Sequence, residues 1–344
     1  MTISVIIPAV VEPDVDRTIR SVLAQTHLPD RIIVAVNNAA GDTSTEAAAL
    51  AVGSPLVEVR GLGEITGRKA GAINRVLATL PREGYVMVLD ADTEIVPTFI
   101  ERALQDLEDP AVGATGAVFG AEAATGYLSL CQRLEWVRYG AQIDRTGKTW
   151  VLSGTAGLIR WGALESVRRA FGRWYDEDSI TEDGRLSVDL KVCGWRITSP
   201  VECESTTEVM PTWGLLIKQR TRWFLGALQA VSRSPLTRES FPYLGQQLML
   251  GVSLLALWTL LTLTVATVAM GTAKLSLLWS LVGLVFVVER VVTIPDEPLR
   301  HKVFAALVIP EMVYALALQY AFVRALAQFI TRSHGEWTHV ERTA

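Results

Sequence analysis

The apolar residues of this chain change rhythm along its length. From the N-terminus to about residue 120, short apolar runs alternate with stretches whose apolar positions recur three and four apart. Ile3–Ile7 is continuous and β-branched, the pattern of a strand buried on both faces. Asp14–Gln25 follows, with Val15, Ile19, Val22 and Leu23 on one side of a helix. Arg31–Val36, Leu56–Arg60 and Tyr85–Leu89 read as further strands, with Thr43–Ala51 and Arg68–Leu80 as helices between them. This alternation predicts a parallel α/β sheet covered by helices on both faces. Ligands of such sheets bind beyond the carboxyl ends of the strands, so the residues after Val36 and Leu89 are where chemistry is expected first.

Residues 120–210 mix Gly, Trp and charged residues without a clear period. Over 212–232 the helical rhythm returns in amphipathic form: Trp213, Leu215, Leu216, Ile217, Trp223, Phe224 and Leu225 interleave with Lys218, Arg220 and Arg222. A basic, Trp-bearing helix suits a membrane interface, and the same pattern fits an ordinary surface helix. Beyond 245 the apolar residues crowd together. Leu248–Met270 carries no charge and exceeds the roughly 20 residues that cross a bilayer. Leu275–Val288 is apolar up to Glu289-Arg290. Phe304–Ile330 holds Pro310, Glu311 and Arg324, and reads as one kinked span or as a short interfacial piece followed by a span. The expected organisation is a soluble α/β domain over 1–210, an interfacial helical region over 211–245, about three transmembrane helices within 246–332, and a tail over 333–344.

The first residues, MTISVIIPAV, lack the basic segment and long apolar core of a signal peptide. The soluble domain is therefore expected in the cytosol. Arg290, Arg300 and Lys302 place the 289–302 loop on the same side by the positive-inside rule, and the whole is expected as an integral protein of the plasma membrane. With 36 acidic and 32 basic residues and no basic run, a nucleic-acid partner is not expected. The three cysteines form no CxxC pair, so neither a disulfide framework nor a zinc site is implied.

Four groups of residues could carry chemistry. Asp90 and Asp92 end the hydrophobic strand Tyr85–Leu89, and alternate residues there can reach one cleft. Hard carboxylate ligands suit Mg²⁺ or Mn²⁺, and such an ion could neutralise a leaving diphosphate. Thr181-Glu182-Asp183 offers a carboxylate that could take a proton from an attacking hydroxyl; it is also a plain acidic helix start behind a capping Thr. Gln219, Arg222 and Trp223 combine an amide and a fork-shaped phosphate donor with a flat ring on which a sugar can pack. Lys69 opens a helix at Gly67-Arg68-Lys69-Ala70-Gly71, where a point charge and the helix N-terminus both favour phosphate.

In their order along the chain these groups resemble the processive family 2 glycosyltransferases, which include cellulose, chitin, hyaluronan and poly-N-acetylglucosamine synthases. The family pattern runs KxGxxN, DxD, a GS/T turn, TED and QxxRW beside the membrane. Here it reads Lys69, Gly71 and Asn74; Asp90 and Asp92; Ser153-Gly154-Thr155; Thr181-Glu182-Asp183; and Gln219, Arg222 and Trp223. The resemblance spans Val5 to about Arg233. It implies a GT-A fold, a Rossmann-like α/β domain binding a UDP-sugar, with Mg²⁺ or Mn²⁺ on Asp92 and Asp90. It further implies Pro8, Ala9, Glu12, Asn38, Asp42, Lys69, Asn74, Asp90, Gln219 and Arg222 around the nucleotide. Ser153, Gly154, Thr155 and Trp223 fall on the acceptor side, and Asp183, with Glu182 beside it, is the implied general base of an inverting transfer. The implied product is a β-linked glycan. The alternative is one sugar passed to a lipid or protein acceptor. Membrane lipids are expected neighbours, and a homo-oligomer is compatible with the sequence.

The chain departs from the family pattern in places. Asn37-Asn38-Ala39-Ala40 stands where the family has DDGS, although an amide can still meet a uracil edge. Val10-Val11 replaces Tyr-Asn, and Ser153 replaces Cys. The N-terminal membrane helices of many such synthases are missing, which argues against a complete single-chain channel. Near the end, Glu336–Arg342 loosely resembles the family's gating segment, which would put the C-terminus in the cytosol.

Overall fold

The computed structural model describes residues 2–37, 41–122, 126–272, 274 and 276–332. Asn38 and the 333–344 tail, with its resemblance to a gating segment, lie outside the described residues.

The N-terminal alternation folds as read. Strands β1 (Ile3–Ala9), β2 (Arg31–Val36), β3 (Val57–Gly61) and β4 (Tyr85–Leu89) are separated by helices α1 (Val15–Leu23), α2 (Ser44–Ala51) and α3 (Arg68–Leu77). Beyond them come β5 (Glu94–Ile95), α4 (Phe99–Asp106), β6 (Val112–Gly116), β7 (Val118–Ala121) and α5 (Tyr127–Thr146). Strand β8 (Ala156–Arg160), α6 (Trp161–Phe171), α7 (Glu182–Val192), β9 (Arg196–Thr198) and β10 (Glu204–Thr207) complete the domain. The helical region comprises α8 (Trp213–Arg233), α9 (Phe241–Ala269), α10 (Leu277–Val292), α11 (Leu299–Ala306) and α12 (Ile309–Thr331).

The main sheet runs β3-β2-β1-β4-β8-β6-β9, and a small second sheet runs β5-β10-β7. Strands β1 to β4 are parallel, but β8 is antiparallel to both β4 and β6. The sheet is therefore mixed and not all-parallel, because the β4–β8 connection returns the chain from the opposite end. Burial on two faces follows the period of two. Ile3, Val5 and Ile7 of β1 join one core layer with α1 and α4, while Ile6 joins the layer under α3, α6 and α7. In β4, Tyr85, Met87 and Leu89 take the first layer, and Val86 and Val88 the second.

Residues 120–210 are more regular than their composition suggests. The 20-residue α5 crosses this stretch and buries Cys131, Gln132, Leu134, Trp136, Gly140 and Ile143. Those positions wrap around the helix, so no single apolar stripe marks it.

Among the described residues, two C-terminal helices are long and apolar enough to cross a membrane: α9 with 29 residues and α12 with 23. This is one fewer than the three expected, since α10 has only 16 residues and carries Glu289 and Arg290 inside it. The Phe304–Ile330 stretch is broken at Leu307-Val308, with Val308 at φ 60° and Pro310 in the first turn of α12. A Pro placed there costs no helical hydrogen bond, so the short piece and the span separate cleanly. The amphipathic helix α8 packs along α12: Thr221 Oγ1 donates to the Ala321 carbonyl at 3.4 Å, and the Phe224 and Phe322 rings meet edge-on at 5.4 Å.

Candidate active site

The strand order reverses between β1 and β4, and such a switch point opens a crevice at the carboxyl ends of the strands. Asp90 and Asp92 lie there, directly after β4. Because β8 is antiparallel, its beginning lies at this same edge. Leu89 pairs with Ala156, and Asp90 N–H donates to the Thr155 carbonyl at 2.8 Å. The Ser153-Gly154-Thr155 turn is thereby fixed beside the aspartates. Its hydroxyls are chained, Ser153 Oγ to Thr155 Oγ1 at 2.6 Å and Thr155 Oγ1 to Ser205 Oγ of β10 at 3.0 Å.

Lys69, in the first turn of α3, joins the motifs. Its Nζ lies 2.5 Å from Asp90 Oδ1, 2.9 Å from Glu182 Oε1 and 3.1 Å from the Gly154 carbonyl. An ammonium has three N–H groups, and all three are engaged within this cluster. The lysine that the resemblance placed beside the nucleotide therefore spends its donors on protein oxygens, and draws together residues from four motifs. Asp183 completes the group. A Cβ built on Gly154 would sit 2.8 Å from Asp183 Oδ2, so only glycine lets the carboxylate approach the backbone here. Lys69, Gly154, Glu182 and Asp183 line, with Val88, Leu152, Tyr175 and Leu186, a recess of ≈ 20 Å³, room for about one water.

The charges are unequally shared. Burial alone would raise the Glu182 carboxyl, but the Lys69 ammonium and its hydrogen bond outweigh it and hold Glu182 below the usual carboxylate range. Burial and the neighbouring Glu182 charge push Asp183 up, against the pull of Lys69. Burial also raises Asp90 to about 7, with Lys69 opposing and Asp92 adding to the rise. Helix α7 starts at Glu182 with both acids in its first turn, so the acidic helix start and the acid pair are one and the same feature.

Helix α8 closes the other side. A Cβ on Gly226 would lie 2.1 Å from Thr181 Oγ1, so a glycine is required where α8 meets the Thr181-Glu182-Asp183 turn. One turn earlier stand Arg222 and Trp223, both half-buried. The Arg222 charge lies near enough to favour the ionised forms of both Glu182 and Asp183. Gln219 Oε1 is buried and has no hydrogen-bond partner among the described residues. Arg185 of α7 holds the far end of α8, donating to the Ala230 carbonyl and to Ser234 Oγ, each at 3.1 Å.

A family model described as glycosyltransferase-like family 2 matches residues 2–226, well over half of the chain. The chain belongs to this glycosyltransferase family. Over 178 residues it is 30% identical to a beta-monoglucosyldiacylglycerol synthase of Synechocystis sp., covering 49% of this chain and 35% of that protein. It is 29% identical over 224 residues to a poly-beta-1,6-N-acetyl-D-glucosamine synthase of Staphylococcus epidermidis, covering 64% and 52%. The chain thus spans between a third and about half of the length of the curated relatives it matches. A mannosyltransferase of Pyrobaculum calidifontis, solved with GDP-Man and Mn²⁺, superposes with a TM-score of 0.63 over 96% of this chain and 88% of that one, at 15% identity. This likeness supports the GT-A-like fold.

In this glycosyltransferase several expected site residues have structural partners of their own. The Asn74 amide donates to the Tyr175 carbonyl at 3.0 Å and to Glu177 Oε1 at 2.8 Å, and accepts Tyr175 N–H at 3.0 Å. It clasps the segment leading into the Thr181 turn. Asn37, where the family has an acid, bonds both backbone groups of Ile65 at 3.2 and 2.9 Å. Pro8 and Ala9 end β1 at the crevice, and Glu12 N–H donates to Thr45 Oγ1 at 2.8 Å. Asp42 Oδ1 accepts from Ser44 N–H at 2.7 Å, which holds its carboxyl below the usual range.

Among the described residues no cluster of three or more Asp, Glu, His or Cys forms a ready metal cage. The aspartate pair nevertheless fits an ion that takes one or two carboxylates and completes its shell with substrate phosphates and water, as Mg²⁺ does. Asp92 is the more exposed of the two, while Asp90 is engaged by Lys69.

Sequence reasoning missed Tyr175, the Asn74 clasp, and a buried ionic chain behind α7. In that chain Asp189, fully buried, accepts from Arg173 at 2.9 Å and from Arg185 at 3.3 Å. The spacing of Arg185 and Asp189 was visible as an i,i+4 pair, but Arg173 is brought in by the fold.

Proposed function

We propose that this chain is a membrane-embedded, inverting glycosyltransferase that uses a UDP-sugar, of the UDP-glucose or UDP-N-acetylglucosamine type, to build or extend a β-linked glycan. The observation that carries the proposal is the division of labour between Glu182 and Asp183. Lys69 takes one as its ion-pair partner and keeps it charged. The other lies against Gly154 with a raised proton affinity. A general base works best when its pKa approaches the working pH, and Asp183 is the carboxylate moved in that direction.

In this reading the acceptor hydroxyl gives its proton to Asp183 as its oxygen attacks the anomeric carbon, and the nucleoside diphosphate leaves on the opposite face. Arg222 and Gln219 meet the diphosphate, and Trp223 offers its ring to the acceptor sugar. A divalent ion held by Asp92 and Asp90 would supply charge neutralisation for the departing diphosphate. Helix α9, apolar and exposed along its length, anchors the enzyme at the bilayer.

A lipid acceptor is the second reading. It is favoured by the relative that is a glucolipid synthase, and by the apolar helices α9 and α12 near the α8 side of the site. Both readings are tested by presenting membranes containing the chain with a panel of sugar nucleotides and Mg²⁺ or Mn²⁺. Nucleotide release is measured, and products are sized by mass spectrometry. A ladder of oligosaccharides supports the polymer, and a single glycosylated lipid supports the alternative. Equal turnover by wild type and Asp183→Asn would remove Asp183 from the mechanism.

A further inference from the structure

We infer that Arg220 is a positioning residue that sets the indole of Trp223 and ties it to α5 and α12 through Glu135 and Tyr314. The inference deepens the proposed function and rests on it for what the indole does.

Arg220 sits within the Gln219–Trp223 motif but does not face the acids of the site. It is 3% exposed. A guanidinium taken out of water is costly unless its donors are met and its charge is compensated. Here the compensation is spare. Nη2 reaches Glu135 Oε2 of α5 at 2.8 Å and the Tyr314 hydroxyl of α12 at 3.4 Å, while Nε has no partner among the described residues. Glu135 itself keeps 35% of its side chain exposed. Replacing such a group with an apolar side chain is often neutral or stabilising, so stability alone is a poor reason for its presence.

The remaining contact of Arg220 supplies a reason. The guanidinium carbon lies 4.1 Å from the centroid of the Trp223 ring, one helical turn further along α8. A planar cation at this distance attracts the electron-rich face of the indole and fixes its tilt. The cation is in turn held by the carboxylate. Tyr314 braces that carboxylate by donating its hydroxyl to the same Glu135 Oε2 at 2.5 Å. Four side chains from three helices thus form one stack: Tyr314, Glu135, Arg220 and Trp223. The indole is half-buried, so part of the ring stays open to a ligand. Lysine could keep the charge near Glu135, but it has no plane to lay against the ring.

The test uses the full chain in lipid nanodiscs, with Arg220→Lys, Tyr314→Phe and Trp223→Phe. The first readout needs no substrate. Acrylamide quenching attributable to Trp223 is obtained as the difference made by Trp223→Phe, in the wild-type and in the Arg220→Lys background. The expected result is about twofold stronger quenching of the indole once the guanidinium is gone. The second readout is the ratio of sugar transfer to donor hydrolysis. It is expected to fall about tenfold in Arg220→Lys and about threefold in Tyr314→Phe, with hydrolysis itself held within about twofold of wild type. Unchanged quenching in Arg220→Lys overturns the inference, and so does an equal loss of hydrolysis and transfer. If wild type releases nucleotide from no sugar donor, the proposed function fails while the quenching result still decides the stack.

Discussion

Two regions of this molecule are equally rich in apolar residues and treat them in opposite ways. In the sheet, every residue of β1 and β4 is buried. In α9 the apolar side chains face outward: Leu248, Leu255, Val265 and Val268 are each more than 60% exposed. The sheet solves its solvation problem within the chain, whereas α9 leaves it to the surroundings. A contiguous exposed apolar surface of this extent marks a place where a membrane or another protein is met, so the difference separates a part that folds against itself from a part that leaves its apolar face to its surroundings. Helix α8 belongs to both, with Gly226 against the acids and Phe224 against α12.

Substitutions at either end of the molecule test this contrast. The largest effect is expected at the polar end. Asp183→Asn should lower transfer by about 10³-fold, within the usual range for removing a general base, while nucleotide binding persists. Single-turnover kinetics with a bound-donor assay separates the two. Next comes the apolar end. Leu255→Lys should cost about 3 kcal/mol if α9 lies in a bilayer, releasing protein from carbonate-washed membranes. If water surrounds α9, the change should stay within about 0.5 kcal/mol and leave the partition unaltered.

Between the two lies Lys69→Met. Removing one member of a buried ion pair costs about 3–5 kcal/mol. Lys69 keeps 26% exposure and its partners Asp90 and Glu182 keep 30% and 16%, so about 2 kcal/mol is expected by thermal unfolding. The same substitution removes a charge that favours the Asp183 anion, so the acid limb of the pH–activity profile should move to higher pH. The sign for stability is opposite to that for activity. Asp183 binds its proton more tightly folded than unfolded, so its contribution to stability is full below the ordinary carboxylate pKa of about 4 and is lost as pH rises through the raised one. Activity instead grows as the base ionises. An effect of similar size is expected from Gly226→Ala, about 1–3 kcal/mol from overpacking against Thr181, partly recovered in the double variant with Thr181→Ala.

Much of the fold was readable because burial on two faces leaves a plain mark. Ile3–Ile7 and Arg31–Val36 are β-branched runs that fit little else. The direction of β8 was not readable, since Ala156–Arg160 looks the same whichever way it runs, and its pairing is decided by the long return through α5. Helix α5 was invisible for a related reason: its buried residues are spread over several sides of the helix, so they form no single stripe. At the site, the motifs identified side chains that the fold brings together, but not the contacts those side chains make with one another. Lys69 was expected to meet phosphate, and its three protons go to Asp90, Glu182 and Gly154. Asn74 was expected at the nucleotide, and its amide holds Tyr175 and Glu177. A motif records that a side chain is constrained. Which oxygen constrains it depends on strands and turns distant in the chain.

The antiparallel course of β8 also bears on the order of events during synthesis. The strands β1 to β4 are contiguous in the first 89 residues and can pair as they emerge, since domains generally fold from the N-terminus as the chain is made. Asp90 and Lys69 are present at that stage, but Gly154, Glu182 and Asp183 are not. Closing the loop from β4 to β8 spends chain entropy before any contact across it forms, and α8 must then seat Gly226 on Thr181. The Lys69 cluster is therefore completed late. A nascent chain stalled before α7 would carry a folded sheet edge without Glu182 and Asp183.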